Sequence, residues 1–258
     1  VKKMERRDFL SSALGGISLG CAAIAGLGDQ STLPEFRGKK ERQVRLKGGQ
    51  GRGVTHWDII TIGNLSRNRY WGESDERPLR SAICTCTVIS GKDFHIMVDP
   101  SLKDEKEMIT ELDRRTGLTP DEIDTVFITH QHDDHLYGIN HFKRSRWLAG
   151  PDVAKALNSS GRYPEKFEPA GNNIFGIIDV IQTPGHTPDH HSLRFDFDGF
   201  SVFVTGDAVA TKDHWLERRG YYNVIDPEES KRTMEKINLL ADIIVPGHDN
   251  YFLNLTLR

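Results

Sequence analysis

The sequence predicts an α/β fold built in two halves of similar rhythm. Three observations support that class. The composition is that of a globular chain: 258 residues, 37% apolar and 28% charged, with a formal net charge of −3. Short β-type runs alternate with stretches of helical spacing along residues 57–258. Histidines, aspartates and glycines gather where the β-type runs end. The same figures exclude a disordered, collagenous or coiled-coil chain. Three cysteines are too few for a disulfide-stapled small domain. No apolar run reaches membrane-spanning length without several glycines.

Residues 58–64 (DIITIGN) read as a strand, and residues 82–90 and 94–98 as two more, joined at the turn Gly91-Lys92-Asp93. Cys84 and Cys86 stand two apart on one strand face, a poor geometry for a bridge, so both read as buried free thiols. Residues 103–115 carry Met108, Ile109 and Leu112 at helical spacing and end before Gly117. Residues 119–122 start a helical turn, 124–129 (DTVFIT) form a buried strand, and 146–149 a short one. Residues 151–158 read as a helix with proline at its first position. In the second half, 174–183, 192–197 and 200–205 read as strands, the last two joined by a hairpin turn at Asp196-Phe197-Asp198-Gly199. Asp226-Pro227 opens a helix that reaches about Leu240, and residues 242–245 make a final strand. The two halves share a rhythm but no sequence repeat.

Charge is uneven. Residues 31–56 hold seven basic groups and two acids around Gly48-Gly49-Gln50-Gly51, which predicts a flexible basic linker over residues 26–56. Residues 57–258 hold 23 lysines and arginines against 32 acids, a net of −9. An acidic body argues against nucleic acid as a partner.

Residues 1–25 read as an address. Arg6-Arg7 precede Phe9-Leu10 and a mild apolar stretch, whose Gly15, Gly16 and Gly20 would weaken a packed helix. The pattern resembles a bacterial twin-arginine export signal, from which Glu5 and Ser11 depart. The resemblance implies that the twin-arginine machinery is a partner and the periplasm the destination. Ala23-Ile24-Ala25 is the expected cleavage region, with a lipid anchor at Cys21 as the alternative.

The chemistry concentrates at four strand ends. The DTVFIT strand runs into His130-Gln131-His132-Asp133-Asp134-His135, a spacing that can aim His130 and His132 at one metal and Asp134 and His135 at a second. Imidazole and carboxylate are donors that zinc-class metals accept. Three later strands run into Pro184-Gly185-His186-Thr187, Gly206-Asp207 and Pro246-Gly247-His248-Asp249. Each is a strand, a small residue, then a ligand-type side chain.

The motifs THQHDDH, TPGHT, TGD and PGHD, in that order over about residues 57–250, resemble those of the metallo-β-lactamase-fold hydrolase superfamily. The resemblance implies a four-layer αββα sandwich with its site along one edge. It implies one divalent metal ion on His130, His132 and His186 and a second on Asp134, His135 and His248, with Asp207 shared. Zinc is the first expectation, with manganese or iron as alternatives. Asp99 falls where the family has a buried aspartate supporting the site. The implied enzyme is a metallo-hydrolase: two metals acidify a shared water, and the hydroxide attacks an ester-like bond of a small molecule. Asp134 is the expected catalytic residue that orients this hydroxide and carries its proton. His190 and His191 are expected to pack near the site without ligating.

The bridging Asp207 is unlike the true β-lactamases. Lactone-cleaving members carry a tyrosine three residues after that aspartate, where this chain has Ala210. Two alternatives stay open: a mononuclear iron sulfur dioxygenase of the same fold, and a non-catalytic exported metal-binding protein. Residues 66–80 (SRNRYWGESDERPLR) form a long connection holding Arg67, Arg69, Arg77 and Arg80. It is expected to act as a lid for an anionic or aromatic substrate, with Arg69, Tyr70 and Trp71 as substrate-binding residues. His214-Trp215 and Tyr221-Tyr222 are expected to form the facing wall.

Overall fold

A computed structural model of the chain describes residues 53–255. The export segment, Cys21 and nearly all of the basic linker lie outside the described residues. The first half contains β1 (Val54–Thr61), β2 (Cys86–Gly91), β3 (His95–Val98), α1 (Glu105–Thr116), β4 (Thr125–Ile128), β5 (Arg146–Ala149), α2 (Pro151–Ser159) and β6 (Phe167–Pro169). The second contains β7 (Asn173–Ile174), β8 (Ile178–Gln182), β9 (His191–Phe197), β10 (Phe200–Gly206), α3 (Lys212–Leu216), α4 (Pro227–Leu240), β11 (Ile243–Pro246) and β12 (Phe252–Leu253).

Each half supplies one mixed six-stranded sheet, ordered β1-β2-β3-β4-β5-β6 and β12-β11-β10-β9-β8-β7. The two-residue period of the strands sorts their side chains into layers. Val126 and Ile128 of β4 join Met108 and Leu112 of α1 and Val153 and Leu157 of α2 in an outer core, while Phe127 points the other way. Phe127 meets Leu193, Phe195, Val202 and Val204 between the sheets. Phe203 and Ile244 face outward from the second sheet onto Met234 and Ile237 of α4. Helix, sheet, sheet and helix therefore stack as the αββα sandwich the motifs implied.

Caps and turns fix the element ends. Asp104 accepts the Glu107 amide at 2.8 Å to start α1, and Gly117 ends it in the left-handed conformation. Asp226 caps α4 the same way, ahead of Pro227. β9 and β10 join through Asp198 and Gly199, both at positive φ, as a tight hairpin requires.

The structure differs from the sequence reading in several places. β1 begins at Val54, ahead of the expected boundary at residue 57 and inside the expected linker. The predicted strand over 82–90 begins only at Cys86, with Ile83 held to Asn64 by an isolated bridge. The run read as one strand over 174–183 is two, because Phe175 and Gly176 both take positive φ and turn the chain back on itself. β6, α3 and β12 have no counterpart in the sequence reading; they span three, five and two residues, too short to show periodicity.

Candidate metal centre and its cavity

β4, β8, β10 and β11 deliver their C-terminal ends to one edge of the sandwich, and the expected ligands meet there. Nε2 of His130 and Nε2 of His186 lie 2.9 and 3.0 Å from Nδ1 of His132. Three ring nitrogens thus converge on one point. Nε2 of His248 lies 3.5 Å from Oδ2 of Asp134, and Nε2 of His135 lies 4.0 Å from the same atom. Asp207 stands between the two groups and divides its oxygens. Oδ2 is 3.3 Å from His186 and 4.0 Å from His130, whereas Oδ1 is 3.1 Å from His248 and 3.2 Å from His135.

A second ring of contacts sets which nitrogen each histidine offers. His248 donates from Nδ1 to the carbonyls of Ile83 and Asn64 at 3.0 and 3.1 Å, leaving Nε2 free to coordinate. His135 pairs through Nδ1 with Oδ2 of Asp99 at 2.8 Å. That oxygen also accepts the Thr129 hydroxyl at 2.8 Å, and the hydroxyl in turn meets Nδ1 of His130 at 3.1 Å. Asp99 thus orients a histidine of each cluster, one directly and one through Thr129, which is the supporting place expected for it. His190 stacks on His130 with centroids 4.9 Å apart and bonds Thr183 through Nδ1, so it packs behind the ligands.

The cluster has the donor set of a divalent-cation site. Nε2 of His135 and Oδ1 of Asp207 are buried and face the centre 3.2 Å apart, without the geometry of a hydrogen bond to each other or to any other group. Burial pushes His186 down to about 4 and, together with His135, holds His130 well below the usual histidine range. Both rings are therefore neutral, the form that ligates. Burial opposes charge on Asp207, but His248, His135 and His186 keep its carboxyl well below the carboxylate range. Glycine makes room for it: a Cβ at Gly247 would overlap Oδ1 of Asp207, and one at Gly206 would press on Thr129.

A cavity of about 400 Å³ opens over the cluster. Its floor includes His132, Asp134, Asp207 and His248, and its walls include Ser66, Gln131, Asp133, Tyr221, Tyr222 and Asn223. Tyr221 and Tyr222 form the wall expected of them, but His214 and Trp215 are buried behind it. Tyr221 donates to the Arg67 carbonyl at 2.9 Å and meets the Ser66 hydroxyl at 3.2 Å, tying the wall to the loop after β1. Ala210 is buried, so the tyrosines at this cavity come from later in the chain.

Arg69, Tyr70 and Trp71 form a short 3-10 turn and are not among the cavity-lining residues. Arg69 pairs with Asp75 at 3.9 Å, and the Tyr70 hydroxyl donates to Glu217 at 2.8 Å. Trp71 is 64% exposed with Arg80 over its ring. Ser66, which opens the 66–80 connection expected to cover the site, does line the cavity, whereas Asn223 carries no sequence motif that would have marked it.

Comparison with known proteins agrees with this architecture. The chain is 29% identical over 154 residues to a probable metallo-hydrolase of Methanocaldococcus jannaschii, covering 60% of this chain and 70% of that one. It is 24% identical over 217 residues to an N-acyl homoserine lactonase of Bacillus cereus, covering 74% and 85%. A solved quorum-quenching N-acyl homoserine lactone hydrolase superposes with a TM-score of 0.59 at 20% identity, over 73% of this chain and 88% of that one. The family model of the metallo-beta-lactamase superfamily matches residues 80–248, and the chain belongs to that superfamily.

Proposed function

We propose that this chain is a metal-dependent hydrolase that cleaves an ester-like bond (a thioester, lactone, phosphoester or related linkage) in a small molecule. The observation that carries the reading is Asp207, whose two oxygens face two separate histidine clusters. His130, His132 and His186 would hold one cation and Asp134, His135 and His248 the other, zinc by donor type with manganese or iron as alternatives. Bound there, such cations supply Lewis acidity and a water acidic enough to react near neutral pH. The protein's own contribution is positional. Asp134 lies on the cavity floor with its side chain 15% exposed, so Oδ2 can take a proton from an attacking water and pass it to a leaving group. The buried histidines keep bulk water from the opposite side of the cluster. Similarity to lactonases adds lactones to the substrates worth testing first.

We extend the proposal to residues 1–25, whose Arg6-Arg7 pair fits delivery of the folded protein to the periplasm by the twin-arginine machinery.

Elemental analysis of protein purified without chelator tests the metal part. Two metals per chain agree with the reading, and one iron per chain would turn it toward a dioxygenase. Turnover of lactone, thioester, phosphodiester and sulfate-ester panels tests the chemistry; Asp134→Asn should lower kcat by about a hundredfold or more.

A further inference from the structure

The loop after β1 carries a charge that nothing in it balances. Arg67 is 5% exposed, and its Nε is buried without a hydrogen-bond partner. It makes no ion pair among the described residues, although three acids lie on the surrounding segments. Glu73 is taken by Arg80 and by the Asn68 amide at 2.6 Å. Asp75 pairs with Arg69, and Glu217 accepts the Tyr70 hydroxyl. What Arg67 has instead is a ring: its guanidinium carbon sits 3.4 Å from the centroid of Tyr222, which lines the cavity. Ser66, the preceding residue, lines it too; Arg67 itself is not among the lining residues and stands against the ring of Tyr222.

An aromatic face offsets part of the lost hydration of a guanidinium, but not its hydrogen bonding. The two Nη groups carry four N–H donors with no partner among the described residues, while the buried Nε is closed to an oxyanion. The cavity floor does not compete as a counter-charge, because Asp134 and Asp207 already face the histidine clusters.

We propose that Arg67 is the residue that recognises an anionic group of the substrate. The substrate carries a carboxylate separate from the bond that is cut, and that carboxylate docks against the guanidinium beside Ser66 and Tyr222. The proposal rests on the hydrolase reading for the placement of the reacting bond over the cluster. It assigns specificity to a residue next to the 3-10 turn expected to hold substrate, not to the turn itself.

Equilibrium binding tests it without any turnover. Succinate, glutarate and adipate, each with its half-amide, are titrated calorimetrically into the metal-loaded full chain. Each pair shares one carboxylate for the cluster and differs in the charge of the far end. The expected result is that one dicarboxylate or more binds at least about tenfold tighter than its half-amide, the size of one charge-assisted contact. Arg67→Gln should abolish that ratio, and Arg67→Lys should restore part of it, with metal content and melting temperature as checks on folding. Equal affinities in every pair, no binding of either member at millimolar concentration, or a ratio that survives Arg67→Gln would overturn the proposal. A failure of the hydrolase reading would appear instead as absence of turnover with the binding ratio intact.

Discussion

Oδ2 of Asp99 lies 2.8 Å from Nδ1 of His135, and the same carboxylate accepts both the amide and the hydroxyl of Thr129. One buried aspartate therefore fixes the start of the histidine motif and the orientation of its last member. It does so at a φ of +51°, a conformation that asparagine and aspartate tolerate better than most residues. Asp99→Asn should keep that backbone while losing the acceptor for His135. We expect metal affinity to fall about 10- to 100-fold, with the Asp134 cluster affected more than the His132 cluster. Chelator competition, resolved into two binding steps, measures this; equal affinities in wild type and variant would sink the assignment.

Removing the metals should destabilise the fold as well as abolish activity. Without cations, Nε2 of His135 and Oδ1 of Asp207 are buried with only their close approach to one another and to His248, and no well-formed hydrogen bond. A ligand present at a thousand times its dissociation constant adds about 4 kcal/mol to the native state. For a domain of this size that corresponds to a fall in Tm on the order of 10 °C when chelator is added. Differential scanning calorimetry with and without chelator reads it directly. A chelator that strips the metal and leaves Tm unchanged would show that the cluster is not coupled to the fold.

The residues that gather at the candidate metal centre were legible in the sequence because each follows a strand that ends in a small or motif residue, as in Gly206-Asp207 and Gly247-His248. The burial of the DTVFIT strand was legible as well, but not how it divides: Val126, Phe127 and Ile128 are all apolar, and only the structure sends the first and last to one core and Phe127 to the other. The cavity walls were less so. Tyr222 and Arg67 are 155 residues apart and meet only through the fold, and neither sits on a periodic element. Arg69 and Trp71 stand out in the sequence as charge and aromatic surface, but their neighbours Asp75 and Arg80 occupy them. The run after Asn173 resembles one strand because the turn residues Phe175 and Gly176 are embedded in apolar sequence.

His214, outside the candidate ligand set, should give the protein an acid-sensitive component of its own, set by burial and partly opposed by the Asp207 carboxylate. Its ring packs edge-on against Tyr70 and Tyr221, and burial pushes its pKa down to about 4. The unfolded chain takes up the proton near the ordinary histidine value of about 6.5. The stabilising contribution is therefore complete above about pH 6.5 and is lost as pH falls toward 4, by up to about 3 kcal/mol. His214→Gln cannot titrate. In metal-free protein, its stability relative to wild type should rise as pH drops from 7 to 4.5, as measured by urea denaturation. A pH-independent difference would mean that His214 is not buried in its neutral form.

Gly247 tests whether close approach to Asp207 is required. A Cβ there would overlap Oδ1, the oxygen that faces His248 and His135, and it would press on the Gly206 carbonyl as well. Neither neighbour is the free end of a flexible chain, so the substitution must move the aspartate or the strand end that carries it. Gly247→Ala should lower metal content at both clusters, since the carboxylate serves both, and reduce turnover about a hundredfold or more. Gly171→Ala is the control: a Cβ there would meet nothing within 4 Å and its φ is not positive, so its effect should stay within about 0.5 kcal/mol. Two metals per chain and wild-type kinetics in Gly247→Ala would mean that Asp207 need not sit where its oxygens divide the two clusters.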